Sequence, residues 1–334
     1  MKGRRMALRA KGLSAGLALG ALVALGAMMS GGAAAAPSGD DTAVAAAKCQ
    51  KSNDVEAIID DSGSMDFSDS GKLRVELLRA LTQLQRAQGK TLGAVEFGDT
   101  AGVLFPPVTM PEPALSQINA TAGLVQADNG LTDYNLAFNT AASANPNATS
   151  RIFLTDGGHN VGPYANGHLG VKTFVIGFGA VNSTVLQQIA DDTGGFLQLL
   201  GDASSVPSVA ADIVAGMDCR RPPVVYTDTF TDQGQREGHS FKPRGKNADM
   251  LITWPGAGIQ ITGIAFKQIV GGKVARKGTV AVSSKTRGVK AKKKGGANFT
   301  TIRLKGLKKK GKVKFKIKAQ QLAIPTVATT KVVR

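Results

Sequence analysis

The chain has 334 residues, of which 41 are Lys or Arg and 24 are Asp or Glu, for a formal net charge of +17. This charge divides into +5 over residues 1–36, −11 over residues 37–219 and +23 over residues 220–334. The division argues against one basic surface that binds nucleic acid along the whole chain. Aromatic residues at 5% and 41 Gly do not fit a coiled coil or a multi-span membrane protein, and the length predicts about two domains.

The N-terminus has the layout of a signal peptide. A basic stretch, MKGRRMALRAKG, precedes an apolar run of 18 residues and then the small residues GGAAAAP. The alternative is a membrane anchor, but this run is rich in Ala and Gly and short of the roughly 20 residues that a spanning helix needs. We therefore predict a signal peptide over residues 1–35, a flexible segment over residues 36–48, and a secreted or cell-surface-associated protein of bacterial type.

Apolar runs alternate with amphipathic patterns from residue 49 to residue 219. Strands are predicted at residues 55–60, 91–97, 101–105, 151–155, 171–177 and 196–200. Helices are predicted at residues 72–87, after Pro111, and at residues 135–144, 183–191 and 206–217. This order predicts an α/β domain with a doubly wound, mostly parallel, Rossmann-like sheet flanked by helices. Sheets of this kind bind ligands at the carboxyl ends of their strands.

Oxygen-bearing side chains stand at those strand ends. The first strand ends in the sequence DDSGSM, which contains Asp60, Ser62 and Ser64, and the strand at residues 151–155 is followed by Asp156 in LTDGG. Thr132 lies in a loop before a helix, in the sequence GLTDYNLAF. Carboxylate and hydroxyl oxygens suit Mg²⁺ or Ca²⁺ better than zinc. The alternative is a solvated turn whose Asp and Ser side chains cap backbone groups.

These motifs, over about residues 50–218, resemble the von Willebrand factor type A domain with its metal-ion-dependent adhesion site. The resemblance implies that the five residues above bind Mg²⁺, or alternatively Mn²⁺ or Ca²⁺. It also implies cation-dependent adhesion, in which the metal binds an acidic group of a protein partner or surface ligand. The sequence departs from the family at Leu131, where many members have Gly, and adds the acids Asp61 and Asp133; these leave the preferred metal open.

The two cysteines, Cys49 and Cys219, flank the predicted α/β domain. Because disulfides persist in exported proteins, we predict that they pair, and a flanking clamp also occurs in some extracellular type A domains. Two buried free thiols are the alternative.

The sequence predicts a binding protein and not an enzyme. It contains neither a phosphate-binding GxxxxGK[ST] motif nor HExxH. His159 is the histidine near the candidate metal loops, and a single loop histidine is more often a surface residue. Ser62 and Ser64 are better explained as metal ligands than as nucleophiles.

Residues 220–334 carry short β-like runs separated by turn residues: VVYTDTF, ADMLITW, IQITGIAF, KVARKGTVAVSS, NFTTIRLKG and KVKFKIKA. They predict a smaller all-β sandwich-like domain after the α/β domain at residues 49–219. Strict alternation in KVKFKIK places four basic residues on one face of a strand: Lys312, Lys314, Lys316 and Lys318. One hypothesis is that this face binds an anionic cell-envelope polymer. The alternatives are a solvated face that protects a sheet edge, or packing of the basic domain on the acidic one. Specific nucleic-acid binding is not expected because few aromatic residues are interleaved for base stacking.

Two functions thus compete. In the first, the metal site engages an acidic partner. In the second, the protein is a cationic envelope-associated module whose β domain binds polyanions, and the metal site only stabilises the fold.

Overall fold

The computed structural model describes residues 49–334 apart from residues 166, 168–169, 180, 256–258, 281–282, 287–288 and 323–324. The predicted signal peptide and the predicted flexible segment at residues 36–48 lie outside the described residues. Within the described part, no helix is both long and apolar enough to span a membrane.

The first sheet is built from six strands: β1 (Asp54–Asp60), β2 (Thr91–Phe97), β3 (Ala101–Thr109), β4 (Ser150–Thr155), β5 (Lys172–Phe178) and β6 (Phe196–Leu200). Their spatial order is β3-β2-β1-β4-β5-β6. All neighbours are parallel except β2 and β3, which form an antiparallel hairpin. The order reverses at β1, so the predicted doubly wound, mostly parallel sheet is confirmed.

Helices cover both faces of this sheet. Among the described residues they are α1 (Met65–Ser68), α2 (Leu73–Gln83), α3 (Glu112–Thr121), α4 (Tyr134–Ala144), α5 (Ser183–Thr193) and α6 (Ala210–Met217), with short 3₁₀ turns at Gln85–Ala87 and Ala203–Val209. Strand β1 shows why both faces need cover. Val55, Ala57 and Ile59 pack into one core, and Ile58 packs into a second core with α4 and α5.

The C-terminal region is entirely β. Its strands are β7 (Val224–Phe230), β8 (Arg236–Phe241), β9 (Asn247–Thr253), β10 (Ile259–Val270), β11 (Lys273–Val280), β12 (Ser283–Thr286), β13 (Val289–Gly295), β14 (Phe299–Lys305), β15 (Lys312–Leu322) and β16 (Thr326–Val333). They form a four-stranded sheet in the order β11-β10-β15-β8 and a six-stranded sheet in the order β12-β13-β14-β9-β16-β7. All pairings in both sheets are antiparallel.

The two C-terminal sheets share one hydrophobic core. Phe315 and Ile317 of β15 meet Met250 and Ile252 of β9 there, as the predicted sandwich requires. Strand β15 lies between β10 and β8. The suggestion that its lysines protect a sheet edge is therefore wrong, because both edges of β15 are already hydrogen-bonded.

The six-stranded sheet also packs on the α/β region. Strand β9 points Met250 and Ile252 into the sandwich core, whereas Leu251 between them joins the core of the α/β region together with Phe299 and Val333. Strand β9 is buried from Ala248 to Thr253 because both of its faces are covered.

Ion pairs of both polarities accompany this contact. Arg86 of the α/β region lies 3.5 Å from Asp249, while Lys331 of the β region pairs with Asp212. The alternative in which the basic region packs on the acidic α/β region therefore occurs, and the contact is made by the six-stranded sheet.

The disulfide between Cys49 and Cys219 is confirmed, with a Cα–Cα distance of 5.7 Å. It joins the two ends of the α/β region across a sequence separation of 170 residues.

Candidate metal site

Three loops meet at the carboxyl end of the first sheet. The loop after β1 carries Asp60, Ser62 and Ser64, the loop before α4 carries Thr132, and the loop after β4 carries Asp156. Because β1 and β4 are adjacent parallel strands, their ends fall at the same edge. The backbone also ties the loops together, since the amide of Gly63 donates to the carbonyl of Gly130 at 3.0 Å.

Asp60 anchors the first loop from beneath. It is fully buried, and its Oδ1 accepts a hydrogen bond from the Ser62 amide at 2.8 Å. Its Oδ2 accepts a hydrogen bond from the hydroxyl of Thr155, at the end of β4. Both oxygens therefore have protein donors, and Asp60 links the first and third loops.

Asp156 accepts hydrogen bonds from two serine hydroxyls. Ser64 Oγ donates to Asp156 Oδ1 at 2.7 Å and lies 3.3 Å from Ser62 Oγ. The hydroxyl of Ser68 donates to the other carboxylate oxygen of Asp156. Ser68 was not predicted from the sequence. Its position four residues after Ser64, which places both serines on the same face of a helical turn, could have indicated it.

Thr132 reaches the same place from the second loop. Its backbone amide donates to Asn160 Oδ1 at 2.8 Å, which holds the second loop against the third. A Cβ atom added at Gly157 would lie 3.3 Å from Thr132 Oγ1 and 3.7 Å from Ser64 Oγ. These two hydroxyls thus face a common space beside Gly157. The structure brings together all five predicted residues.

The two additional acids have structural roles. Asp61 is buried and pairs with the buried guanidinium of Arg74 at 3.0 Å, and it accepts a hydrogen bond from the Ala127 amide at 2.7 Å. Asp133 caps α4 by accepting from the Leu136 amide at 3.1 Å. Each carboxylate is therefore engaged in holding the loop that carries Thr132.

His159 is buried beside the site and supports α4. Its Nδ1 accepts a hydrogen bond from the Tyr134 amide at 3.0 Å. The same nitrogen lies 3.9 Å from Asp133 Oδ1. Its ring packs against the rings of Tyr134 and Tyr164.

Burial raises the pKa of Asp60 to about 6, against the opposing effect of the hydrogen bonds from Ser62 and Thr155. The nearby charge of Asp156 contributes in the same direction as burial. A cation close to Asp60 would favour its ionised form, so the arrangement is electrostatically suited to a positive ion.

The donor set fits a hard divalent cation. It combines two carboxylates with three hydroxyls around the space beside Gly157, and oxygen donors of this kind suit Mg²⁺, Mn²⁺ or Ca²⁺. Among the described residues, no group of three or more His, Cys, Asp or Glu side chains is placed to hold a metal. The candidate site therefore depends on its hydroxyls as much as on its carboxylates.

Large apolar side chains are exposed next to these loops. Phe67 in α1 is 90% exposed and follows Ser64 by three residues, and Leu131, directly before Thr132, is 52% exposed. Another molecule that bound at this edge would bury these two side chains, and their burial would stabilise the contact.

The predicted basic residues lie elsewhere, on β15. Lys312, Lys314 and Lys316 are exposed and Lys318 is half-buried, whereas Val313, Phe315 and Ile317 between them are buried. The predicted alternation is confirmed, and these lysines form no part of the metal site.

Residues 56–159 match the family model of the von Willebrand factor type A domain. The matched span contains all five candidate ligands, and it supports a type A domain in the α/β region. A search of curated proteins gives no match.

Several solved structures are similar to this chain. A von Willebrand factor type A protein from Catenulispora acidiphila aligns with a TM-score of 0.44 and 15% identity, over 82% of this chain and 59% of that chain. Proximal thread matrix protein 1 from the mussel byssus, with a zinc-occupied adhesion-site motif, aligns with a TM-score of 0.43 and 18% identity, over 56% of this chain and 51% of that chain. A minor pilin from Streptococcus sanguinis aligns with a TM-score of 0.38 and 14% identity, over 50% of this chain and 61% of that chain. The alignments span between 51% and 61% of the length of these three structures.

Proposed function

We propose that this is an exported binding protein that holds a divalent cation, Mg²⁺ or alternatively Mn²⁺ or Ca²⁺, and through it an acidic group on a protein partner or surface ligand. The observation that carries the proposal is the convergence of Asp60, Ser62, Ser64, Thr132 and Asp156 from three loops at one edge of the sheet. A polar turn that only capped its own backbone would not need contacts between residues 92 positions apart, as Ser64 and Asp156 are.

The charge balance of the loops supports this proposal. Asp61 pairs with Arg74, which also pairs with Asp69, and Asp133 accepts from the Leu136 amide at the start of α4, so Asp60 and Asp156 are the carboxylates directed at the site. Hydroxyl ligands add no negative charge. A bound divalent cation therefore supplies an electrophilic position that takes a further oxygen anion.

The surface around the loops supports a protein partner. Phe67 and Leu131 would be covered by a molecule whose carboxylate reached the site. Complete burial of two such side chains would contribute about 2 kcal/mol each. We therefore propose that the partner presents an acidic residue with an apolar neighbour.

Binding, and not catalysis, is the proposed activity. The imidazole of His159 uses Nδ1 to accept from the backbone of α4, and the Ser64 hydroxyl donates to Asp156. Neither group is paired with the other as a nucleophile and base would be.

Titration of the purified protein with Mg²⁺ and Mn²⁺ by calorimetry tests the metal site. We expect Asp156→Asn and Thr132→Ala to weaken binding at least about tenfold, since even residues that only support metal ligands contribute that much. The matched control is Asp66→Ala, which removes an exposed acid from α1 without touching the five residues. Equal weakening by the control would mean that the cation binds a diffuse acidic surface, and the proposed site would be wrong.

Capture of a partner from the native cell surface, with and without chelator, tests whether the bound metal engages an acidic partner. We expect Phe67→Ala to reduce capture while the affinity for Mn²⁺ stays unchanged. Capture that is insensitive both to chelator and to Asp156→Asn would contradict metal-mediated binding.

A further inference from the structure

The cationic face of the four-stranded sheet extends beyond the lysines of β15 to the neighbouring strands. Lys312, Lys314 and Lys316 are exposed on the face of β15 opposite its buried residues. On the neighbouring strand β10, Lys267 is exposed and stands directly opposite Lys314. On β11, Lys277 is exposed and stands opposite Lys267.

Three ammonium groups thus lie in one row across three strands. Neighbouring strands are about 4.8 Å apart and alternate residues along a strand are about 6.8 Å apart, so the basic residues form a closely spaced grid. Like charges directly opposite each other across a sheet are destabilising. A bound anion would relieve this repulsion.

The face is a groove with a small-residue floor. Lys316 stands between Ala265 of β10 and Gly238 of β8, and both of these are exposed. The long lysine side chains form the walls of a groove of about 830 Å³. A groove of this shape admits a chain, whereas a flat cationic surface would fit a membrane better.

None of the described acids of this region lines the groove, although Asp228 contacts His239, which does. Residues 220–334 contain four acids. Asp228 accepts from His239 at 2.8 Å, and Asp249 is buried beside Arg86. Glu237 pairs in register with Ile317, on the side away from the lysines, and Asp232 accepts from Thr231 in a loop. Among the described residues, the lysines with ion pairs are Lys90, Lys294 and Lys331, none of which lines the groove.

We propose that this groove, walled by Lys267, Lys277, Lys312, Lys314 and Lys316, binds a linear polymer of phosphate groups. Closely spaced ammonium groups match closely spaced anions, and the binding is electrostatic. Phe266 and Phe315 also line the groove but are buried, so they offer no exposed aromatic platform for bases. The chemistry therefore favours a phosphate backbone without nucleobases. This site is independent of the metal site.

Fluorescence anisotropy with labelled inorganic polyphosphate and with labelled poly(glycerol phosphate) tests the groove and separates these two sources of phosphate. We expect the triple variant Lys267→Gln, Lys314→Gln, Lys316→Gln to weaken binding about 100-fold at near-physiological salt, from roughly a fivefold contribution per lysine. The slope of log K against log salt should fall from about −3.5 to about −1.4, for five contacts reduced to two at about −0.7 each.

The matched control removes the same charge from the loop before β15. Lys308, Lys309 and Lys310 are exposed there, outside the sheet, and their replacement by Gln should weaken binding less than about threefold. The single variant Lys314→Gln, about fivefold weaker, keeps the test informative if the triple variant does not fold. Chelator and Asp156→Asn should leave binding unchanged, so failure of the metal proposal would leave this one intact.

Three results would overturn the proposal. The first is equal weakening by the groove variant and the loop control. The second is tighter binding of a single-stranded oligonucleotide than of a phosphate polymer of equal charge. The third is binding to phosphatidylserine vesicles without binding to either phosphate polymer.

Discussion

The α/β region and the β region carry their polar chemistry in different parts of their architecture. In the α/β region, oxygen ligands stand in loops at strand ends, where three backbone segments can bring single side chains together. In the β region, the basic residues stand on strand faces, where register repeats one kind of side chain over several strands. The first arrangement suits one small ion, and the second suits an extended charged ligand. The net charge of the chain is positive because the β region is strongly basic, whereas the candidate metal site lies in the α/β region.

The two regions also differ in what stabilises them. A disulfide closes the α/β region, while the sandwich, at residues 220–334, contains no cysteine and is built around its own hydrophobic core. Yet β9 and β14 contribute Leu251 and Phe299 to the core of the α/β region. Three measurements examine how far the regions behave separately.

The largest expected effect is that of the disulfide. Replacing both Cys49 and Cys219 by Ser should lower the free energy of unfolding of the α/β region by about 5 kcal/mol, because the unfolded chain gains the entropy of an open loop of about 170 residues. Urea unfolding followed by far-UV circular dichroism, which reports mainly on the helices, measures this change. An unchanged midpoint would show that the clamp does not contribute to stability.

The shared core should couple the regions. Phe299→Ala removes a fully buried ring from β14 and should cost about 3–5 kcal/mol. The chain has one tryptophan, Trp254, whose fluorescence reports on the β region. We expect the fluorescence and dichroism transitions to move together.

The matched variant for this measurement is Phe315→Ala, whose ring is buried within the sandwich core. If Phe299→Ala shifts the tryptophan transition and leaves the helical transition in place, the two regions unfold independently and the shared core has no energetic consequence.

The third effect, the smallest when counted per pH unit, is a pH dependence that belongs to the α/β region. Glu56 is fully buried in β1. Burial raises its pKa from an ordinary 4.5 to about 8, with Asn145 and Arg151 opposing this shift. The folded protein therefore keeps a proton that the unfolded chain has lost, so stability decreases as the pH rises from about 5 to about 8, by roughly 1.4 kcal/mol per pH unit.

Glu56→Gln should remove this contribution. The free energy of unfolding, measured from pH 5 to pH 8, should fall less steeply with pH for the variant than for the native chain. The variant should be the more stable of the two above neutrality. Parallel slopes would mean that Glu56 is ionised in the folded protein.

Much of the α/β region could be predicted from its sequence. Buried strands such as β1 are continuous apolar runs, and amphipathic helices such as α2 repeat at the helical period, so local pattern is informative. The β region was harder. Strands β8, with the sequence REGHSF, and β13, with VKAKKKG, have few apolar residues and were missed. Strand β16 was also missed, although it is largely buried, because its polar and apolar residues do not alternate regularly.

The candidate site shows the same division at the level of single residues. The spacing of Asp60, Ser62 and Ser64, together with LTDGG, was sufficient to predict that these side chains and Asp156 meet at one edge of the sheet. The roles of Asp61 and Asp133 could not be predicted, because their partners, Arg74 and the amide of Leu136, are set by how the loops fold back.

By itself, the sequence determined the order of strands and main helices in the α/β region, the loops of the candidate metal site, the cysteine pair and the alternation of lysines along β15. These features depend on spacing within one segment. Only the tertiary structure decided that β15 is an interior strand, that Lys267 and Lys277 extend its basic face, and that Leu251 and Phe299 join the core of the α/β region. Strand order and register arise from contacts between distant segments, and the period of two along a strand is the same whichever neighbours it has.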